Sequence, residues 1–366
     1  ESVTAGGKGE GTQSGGINPK DRGAMAKAST PVVFAVVSFY VLVSVSTTLM
    51  NKLSFPRDTF PFPFTVTCFQ MAVALLWLMV LTVLQAVGPG FVCSFLGLSR
   101  TKTLNWNPLQ MGNAVGCAGA FTGMLATGNL CLMFVQVSFY QAAKSQHILF
   151  SLILSSLLLG SHAALNIVMA CAGVTLGFVI NAMAEVDIMR SLLNDDMTSL
   201  MWGMVAGLVS SFFVALYPML LKRSMVSMDN WQISINVNLM SLLWFAPLIG
   251  YEVVQGKMLD NPVLYDQKFW AFNFATATVG FVLNLASMMQ VRVTSPLTHM
   301  VVGAFKGAVT TCLGVVMYGN QMNLTSTLGV TILISCSFFY SYLKWQHTNS
   351  ETSLREKGSD EDDKDK

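Results

Sequence analysis

The chain has 366 residues, 53% of them hydrophobic and only 11% charged, a balance that excludes an ordinary soluble domain and marks a polytopic membrane protein. Its net charge of +2, with no basic cluster interleaved with aromatics, argues against a nucleic-acid partner. Cys68, Cys93, Cys117, Cys131, Cys171, Cys312 and Cys336 lie mostly in apolar runs without paired spacing, so they read as small apolar side chains and not as a disulfide or zinc framework.

Residues 1–30 are rich in Gly, Ser and Lys and contain no apolar run, which predicts a disordered cytosolic tail without a cleavable signal peptide. Ten apolar segments follow, at about 31–50, 62–87, 108–133, 138–159, 163–183, 198–220, 231–254, 268–290, 295–318 and 324–345. Each is long enough for a hydrocarbon layer of about 30 Å, so the expected fold is all-α with ten transmembrane helices. Pro61, Pro63, Pro108 and Pro296 stand near span starts, where a missing N–H costs least, whereas Pro218 and Pro247 lie inside spans 6 and 7. Residues 346–366 read as a second, acidic tail. With both termini in the cytosol, 14 Lys and Arg fall on the cytosolic side and 5 on the other, which fixes the expected orientation. Asn323-Leu324-Thr325 is then a lumenal sequon set against the membrane.

The chain repeats itself. Met133–Ser138 matches Met289–Thr294, and Gly173-Val174-Thr175 matches Gly329-Val330-Thr331, both at an offset of 156. Two five-span halves follow, 31–183 and 198–345, joined by a lumenal connection at 184–197. An odd number of spans per half makes the second enter the membrane upside down, the inverted repeat of alternating-access carriers.

Charge inside the membrane carries the functional signal. All nineteen Asp and Glu lie in tails, connections or span ends, with Glu185 and Asp187 closing span 5 and Glu252 closing span 7. Lys144 and Lys306, by contrast, fall inside spans 4 and 9, the corresponding helices of the two halves. A lysine at mid-span costs about 3 kcal/mol and normally faces a wet cavity, although one near a span end can snorkel to the interface. Tyr140, Lys144 and His147 share a helix face, as do His299, Gly303 and Lys306. Two ammonium groups without carboxylates give a cavity suited to an anion such as a phosphate or diphosphate. The lack of mid-span carboxylates also favours anion exchange over proton coupling. Asn236 and Asn238 in span 7 could read a base or ribose, or bond across helices as packing glue. No cofactor or metal is called for.

Several stretches resemble a known family. Thr294–His299 followed by Gly303 and Lys306, Ser38-Phe39-Tyr40 through Asn51-Lys52, Asn129–Leu132 and Val137–Tyr140 are similar to the nucleotide-sugar transporters of solute carrier family 35, within the drug/metabolite transporter superfamily. Within that family the resemblance is to the GDP-fucose transporter branch, over about residues 32–345. It implies a ten-helix Golgi carrier that imports a nucleotide sugar and exports the nucleoside monophosphate. It also implies a phosphate contact at Lys306. Lys144 stands where that branch usually has arginine, and Ile233–Asn236 where GDP-sugar carriers show Phe-Tyr-Asn-Asn. Phe139–Lys144 and Tyr318-Gly319-Asn320 also resemble the plastid triose-phosphate translocators, but Gly307 replaces the arginine that follows their span 9 lysine.

The expectation is therefore an antiporter, not an enzyme, with a substrate site of Lys144, Lys306, Asn236, Asn238, Tyr40, Tyr140, Gln141, His299 and Gly303. A triose-phosphate or phosphate translocator and a UDP-sugar transporter are the alternatives. A membrane enzyme would need a nucleophile and base, and the acidic run Glu185–Asp196 reads as a solvated connection. The endoplasmic reticulum is the alternative membrane, and monomer and homodimer stay open.

Overall fold

The computed structural model describes residues 30–87, 108–160, 164–192, 197–224, 230–256, 258–294, 296–319 and 322–362. Cys93 and the predicted tail 1–29 lie outside these. The described secondary structure is helical throughout. It comprises α1 (Thr30–Ser54), α2 (Pro63–Val87), α3 (Pro108–Phe134), α4 (Val137–Ser145), α5 (His147–Leu159), α6 (Leu165–Leu192), α7 (Met197–Ser224), α8 (Asn230–Gly256), α9 (Gln267–Val293), α10 (Pro296–Tyr318) and α11 (Leu324–Asp362). Pro63, Pro108 and Pro296 each open a helix, where the ring's fixed φ is already helical. Nine of these helices are long and apolar enough to cross a membrane. Their outer faces carry exposed Phe34, Leu42, Val254 and Val316, a surface that suits acyl chains and not water.

The predicted fourth span, 138–159, is broken in two. α4 has 9 residues and α5 has 13, with Gln146 capping both. The break frees carbonyls that lipid could not satisfy, and the chain supplies donors for them. Ala143 accepts from Ser211 Oγ at 2.6 Å and from Gln146 N at 3.0 Å, and His147 Nδ1 lies 2.7 Å from the Lys144 carbonyl.

In hydrocarbon, helices associate through close packing of small residues and internal hydrogen bonds. α3 packs on α7, α1 on α9, and α6 on α11; α8 sits against α2 and α3, α9 also meets α2, and α10 touches α1, α4 and α11. The α6–α11 seam is the tightest. A Cβ at Gly177 would lie 2.6 Å from the Leu333 amide nitrogen, and one at Gly329 would lie 2.7 Å from that of Asn181. Ser326 Oγ donates to Asn181 Oδ1 across the same seam at 3.0 Å.

Both copies of the first repeated word fall where one helix ends and the next begins. Met133–Ser138 is the α3–α4 junction, and Met289–Thr294 is the end of α9 leading to α10. Two charged residues hold the first junction. Lys52 Nζ donates to the carbonyls of Leu132 and Val135, each at 2.7 Å, which caps the C-terminal end of α3. Glu185 accepts from Gln136 N at 3.0 Å, at the N-terminus of α4. Each charge has the sign that the helix end favours. The solvated connection expected at Glu185–Asp196 is therefore corrected at its first residue. α6 runs on to Leu192, and Glu185 is only 2% exposed because it caps a neighbouring helix. Glu252 acts likewise, accepting from Phe64 N and Thr65 N at 2.8 Å at the start of α2. α11 also continues as helix to Asp362, through a stretch assigned from the sequence to the acidic tail.

Candidate functional site

The broken helix places the predicted cations on a shared cavity. α4 and the start of α5 form one wall, α10 faces them, and α1 and α11 complete the enclosure, around a volume of about 330 Å³. Of the predicted residues, Tyr40, Gln141, Lys144, Gly303 and Lys306 line it. Among the described residues no Asp or Glu lines the cavity.

Each lysine rests on a tyrosine. Lys306 Nζ donates to Tyr40 Oη at 2.8 Å and lies 5.0 Å from its ring centre. Lys144 Nζ donates to Tyr140 Oη at 3.3 Å and lies 5.3 Å from that ring. A phenol neutralises nothing. It holds the ammonium in place and lends its ring's negative face, while the positive charge stays available to a ligand. Both lysines line the same cavity. Tyr140 therefore serves the cavity through Lys144, one layer behind the wall.

Room for a ligand comes from α10. A Cβ at Gly303 would meet nothing within 4 Å, and one at Gly307 would only just reach Gln141 Oε1, at 4.0 Å. Both glycines line the cavity beside Lys306. A side chain at 307 would project toward Gln141, so the glycine there removes a cation from the site and enlarges it.

Two predicted residues sit elsewhere. Asn236 and Asn238 are buried in α8 and do not line the cavity, and Asn238 Nδ2 donates to its own helix at Ser234 O, 2.7 Å away. The side chain of His299 lies outside the described residues. His147, by contrast, lines the cavity, and because its Nδ1 faces the Lys144 carbonyl, that nitrogen carries the hydrogen.

Ser138, Ser145, Thr311, Tyr340 and Ser341 also line the cavity without having been singled out in the sequence. For Tyr340 a signal was present, since Tyr340 and Lys344 repeat the four-residue spacing of Tyr140 and Lys144. Among the described residues no metal-holding cluster of His, Cys, Asp and Glu occurs. Two ammonium groups, a glutamine amide and hydroxyls can bind a polar anion.

A profile described as the Triose-phosphate Transporter family matches residues 31–341. The chain belongs to that family. It is 33% identical over 317 residues to the GDP-fucose transporter 1 of Dictyostelium discoideum, covering 86% of this chain and 81% of that protein. It is 26% identical over 320 residues to the "GDP-fucose transporter, Golgi" of Drosophila melanogaster, covering 84% of this chain and 88% of that one. A solved crystal structure superposes with a TM-score of 0.52 at 13% identity, over 85% of this chain and 98% of that one, so the two share a fold. The family is one of transporters, and this chain is a transporter and not an enzyme.

Proposed function

We propose that the protein imports a nucleotide sugar, GDP-fucose in first place, into the Golgi lumen in exchange for the nucleoside monophosphate. The observation that carries this reading is the pair Lys144 and Lys306, facing one cavity that no carboxylate lines among the described residues. The phosphates sit between the two ammonium groups, and Gln141 is the lining amide placed to meet a base edge. With Asn236 and Asn238 in α8 off this cavity, they contact base or ribose only in another state of the carrier.

α4 and α5 together make a tenth span, and the halves 31–183 and 198–345 form an inverted repeat with both termini cytosolic. Support comes from the most extensive helix pairings, which map onto one another when the halves are exchanged. The α3–α7 contact becomes α9–α1, α3–α8 becomes α9–α2, and α6–α11 returns to itself. The 14-to-5 split of basic residues supports the orientation. A bound anion lets the two lysines approach as the carrier closes, whereas an empty site resists closing, so exchange is obligatory.

The test is reconstitution in liposomes preloaded with GMP or UMP, with uptake of labelled GDP-fucose and UDP-sugars as the readout. Uptake is expected with GDP-fucose into GMP-loaded vesicles. Equal uptake into empty vesicles overturns exchange, and a preference for UMP and UDP-sugars reassigns the base. The triose-phosphate reading, which the family description keeps in view, predicts uptake driven by internal phosphate. The extra room at Gly307 weighs against so small a substrate.

A further inference from the structure

The two lysines of the clamp have a counterpart that the transport reading leaves unused. Lys344 on α11 donates to Tyr340 Oη at 3.3 Å and lies 5.6 Å from that ring centre, the same arrangement as Lys144 on Tyr140 and Lys306 on Tyr40. Tyr340 is buried and lines the cavity, as does Ser341, while Lys344 stands one helical turn further along α11 and is exposed. His147, Lys144 and Lys306 line the cavity together. Three lysines are thus each seated on a phenol, two of them lining the cavity and the third bonded to a lining tyrosine.

We propose that Lys344 and Tyr340 form an outer anion station at the mouth of the cavity, which takes a phosphate group of the incoming substrate before it settles between Lys144 and Lys306. The ligand class is a phosphate ester or diphosphate, and the role of the station in transport rests on the anion-exchange reading above. An exposed ammonium attracts an anion from solution and does so less as salt rises. A buried phenol that accepts from it fixes where that charge stands and keeps an O–H directed at the same ligand. A lysine that only snorkels from the end of α11 would contribute nothing to ligand affinity.

The experiment uses the full chain and the variants Lys344→Ala and Lys344→Arg, with two readouts. In proteoliposomes, K344A is expected to raise the half-saturating external substrate concentration roughly 3- to 10-fold, with the maximal exchange rate within about 2-fold and a flatter ionic-strength dependence. K344R restores the wild-type values. In detergent, the pyrophosphate concentration that half-saturates thermal stabilisation is expected to rise by a similar factor in K344A, while its ligand-free Tm stays unchanged. A K344A protein with wild-type pyrophosphate response overturns the station, as does a wild-type protein that pyrophosphate does not stabilise. If the wild type exchanges no nucleotide sugar yet loses pyrophosphate affinity through K344A, the transport reading falls and the station stands.

Discussion

Lys306 owes its position to one partner, the phenol of Tyr40 at 2.8 Å. A phenol gives this ammonium no counter-charge, so its desolvation is compensated only when an anion arrives. Removing it removes a desolvation cost together with the phosphate contact, so function and stability separate. Lys306→Ala is expected to lower exchange roughly 10- to 100-fold, the worth of a charged hydrogen bond to phosphate, with a Tm equal to or above wild type. Uptake in proteoliposomes and a thermal scan of the same preparation measure the two effects. Tyr40→Phe leaves the ring under the ammonium and removes only the oxygen, so the loss is expected to be several-fold. Normal uptake by K306A would overturn the clamp.

At the scale of the element, the chain handles broken and abutting helices by two devices. Where α3 stops and α4 begins, backbone groups would stand orphaned in the membrane, and Lys52 and Glu185 meet them with charges of the appropriate sign. Where α6 meets α11, Gly177 and Gly329 let the two backbones touch. Gly177→Ala and Gly329→Ala each place a Cβ against backbone that cannot swing aside, and each is expected to cost about 1–3 kcal/mol, visible as a drop in Tm. Gly116→Ala is the control. Nothing lies within 4 Å of its added Cβ, and alanine's better helix propensity, about 1 kcal/mol, is expected to leave Tm unchanged or raised. Equal Tm values for all three variants would show that the seam does not bear on stability.

For the whole molecule, the proposal that an empty site resists closing makes a prediction about the unloaded direction. Labelled GMP trapped in vesicles is expected to leave slowly into plain buffer. External nucleotide sugar is expected to speed its exit at least about 10-fold, the ratio for a difference of 1.4 kcal/mol between loaded and empty closure. Time courses of retained label measure it. Equal rates with and without external substrate would make the carrier a uniporter.

Membrane residence, the apolar helices and the two cavity lysines were legible from sequence because they depend on composition and on local spacing, which need no partner to be read. The repeated words are read from the sequence in the same way, and the first, Met133–Ser138, lies at the α3–α4 junction. Tertiary structure alone decided that the fourth span breaks at Gln146, since the break depends on Ser211 of another helix donating to the freed Ala143 carbonyl. It alone decided that Glu185 is buried, because the amide it caps lies 49 positions away in the chain. It separated the polar residues that the sequence left equal, placing Gln141 on the cavity and Asn236 and Asn238 off it, for a helix's rotation is set by its neighbours and not by its own sequence. The pairing of Lys306 with Tyr40 belongs to the same class, because the phenol that seats the lysine lies 266 positions away.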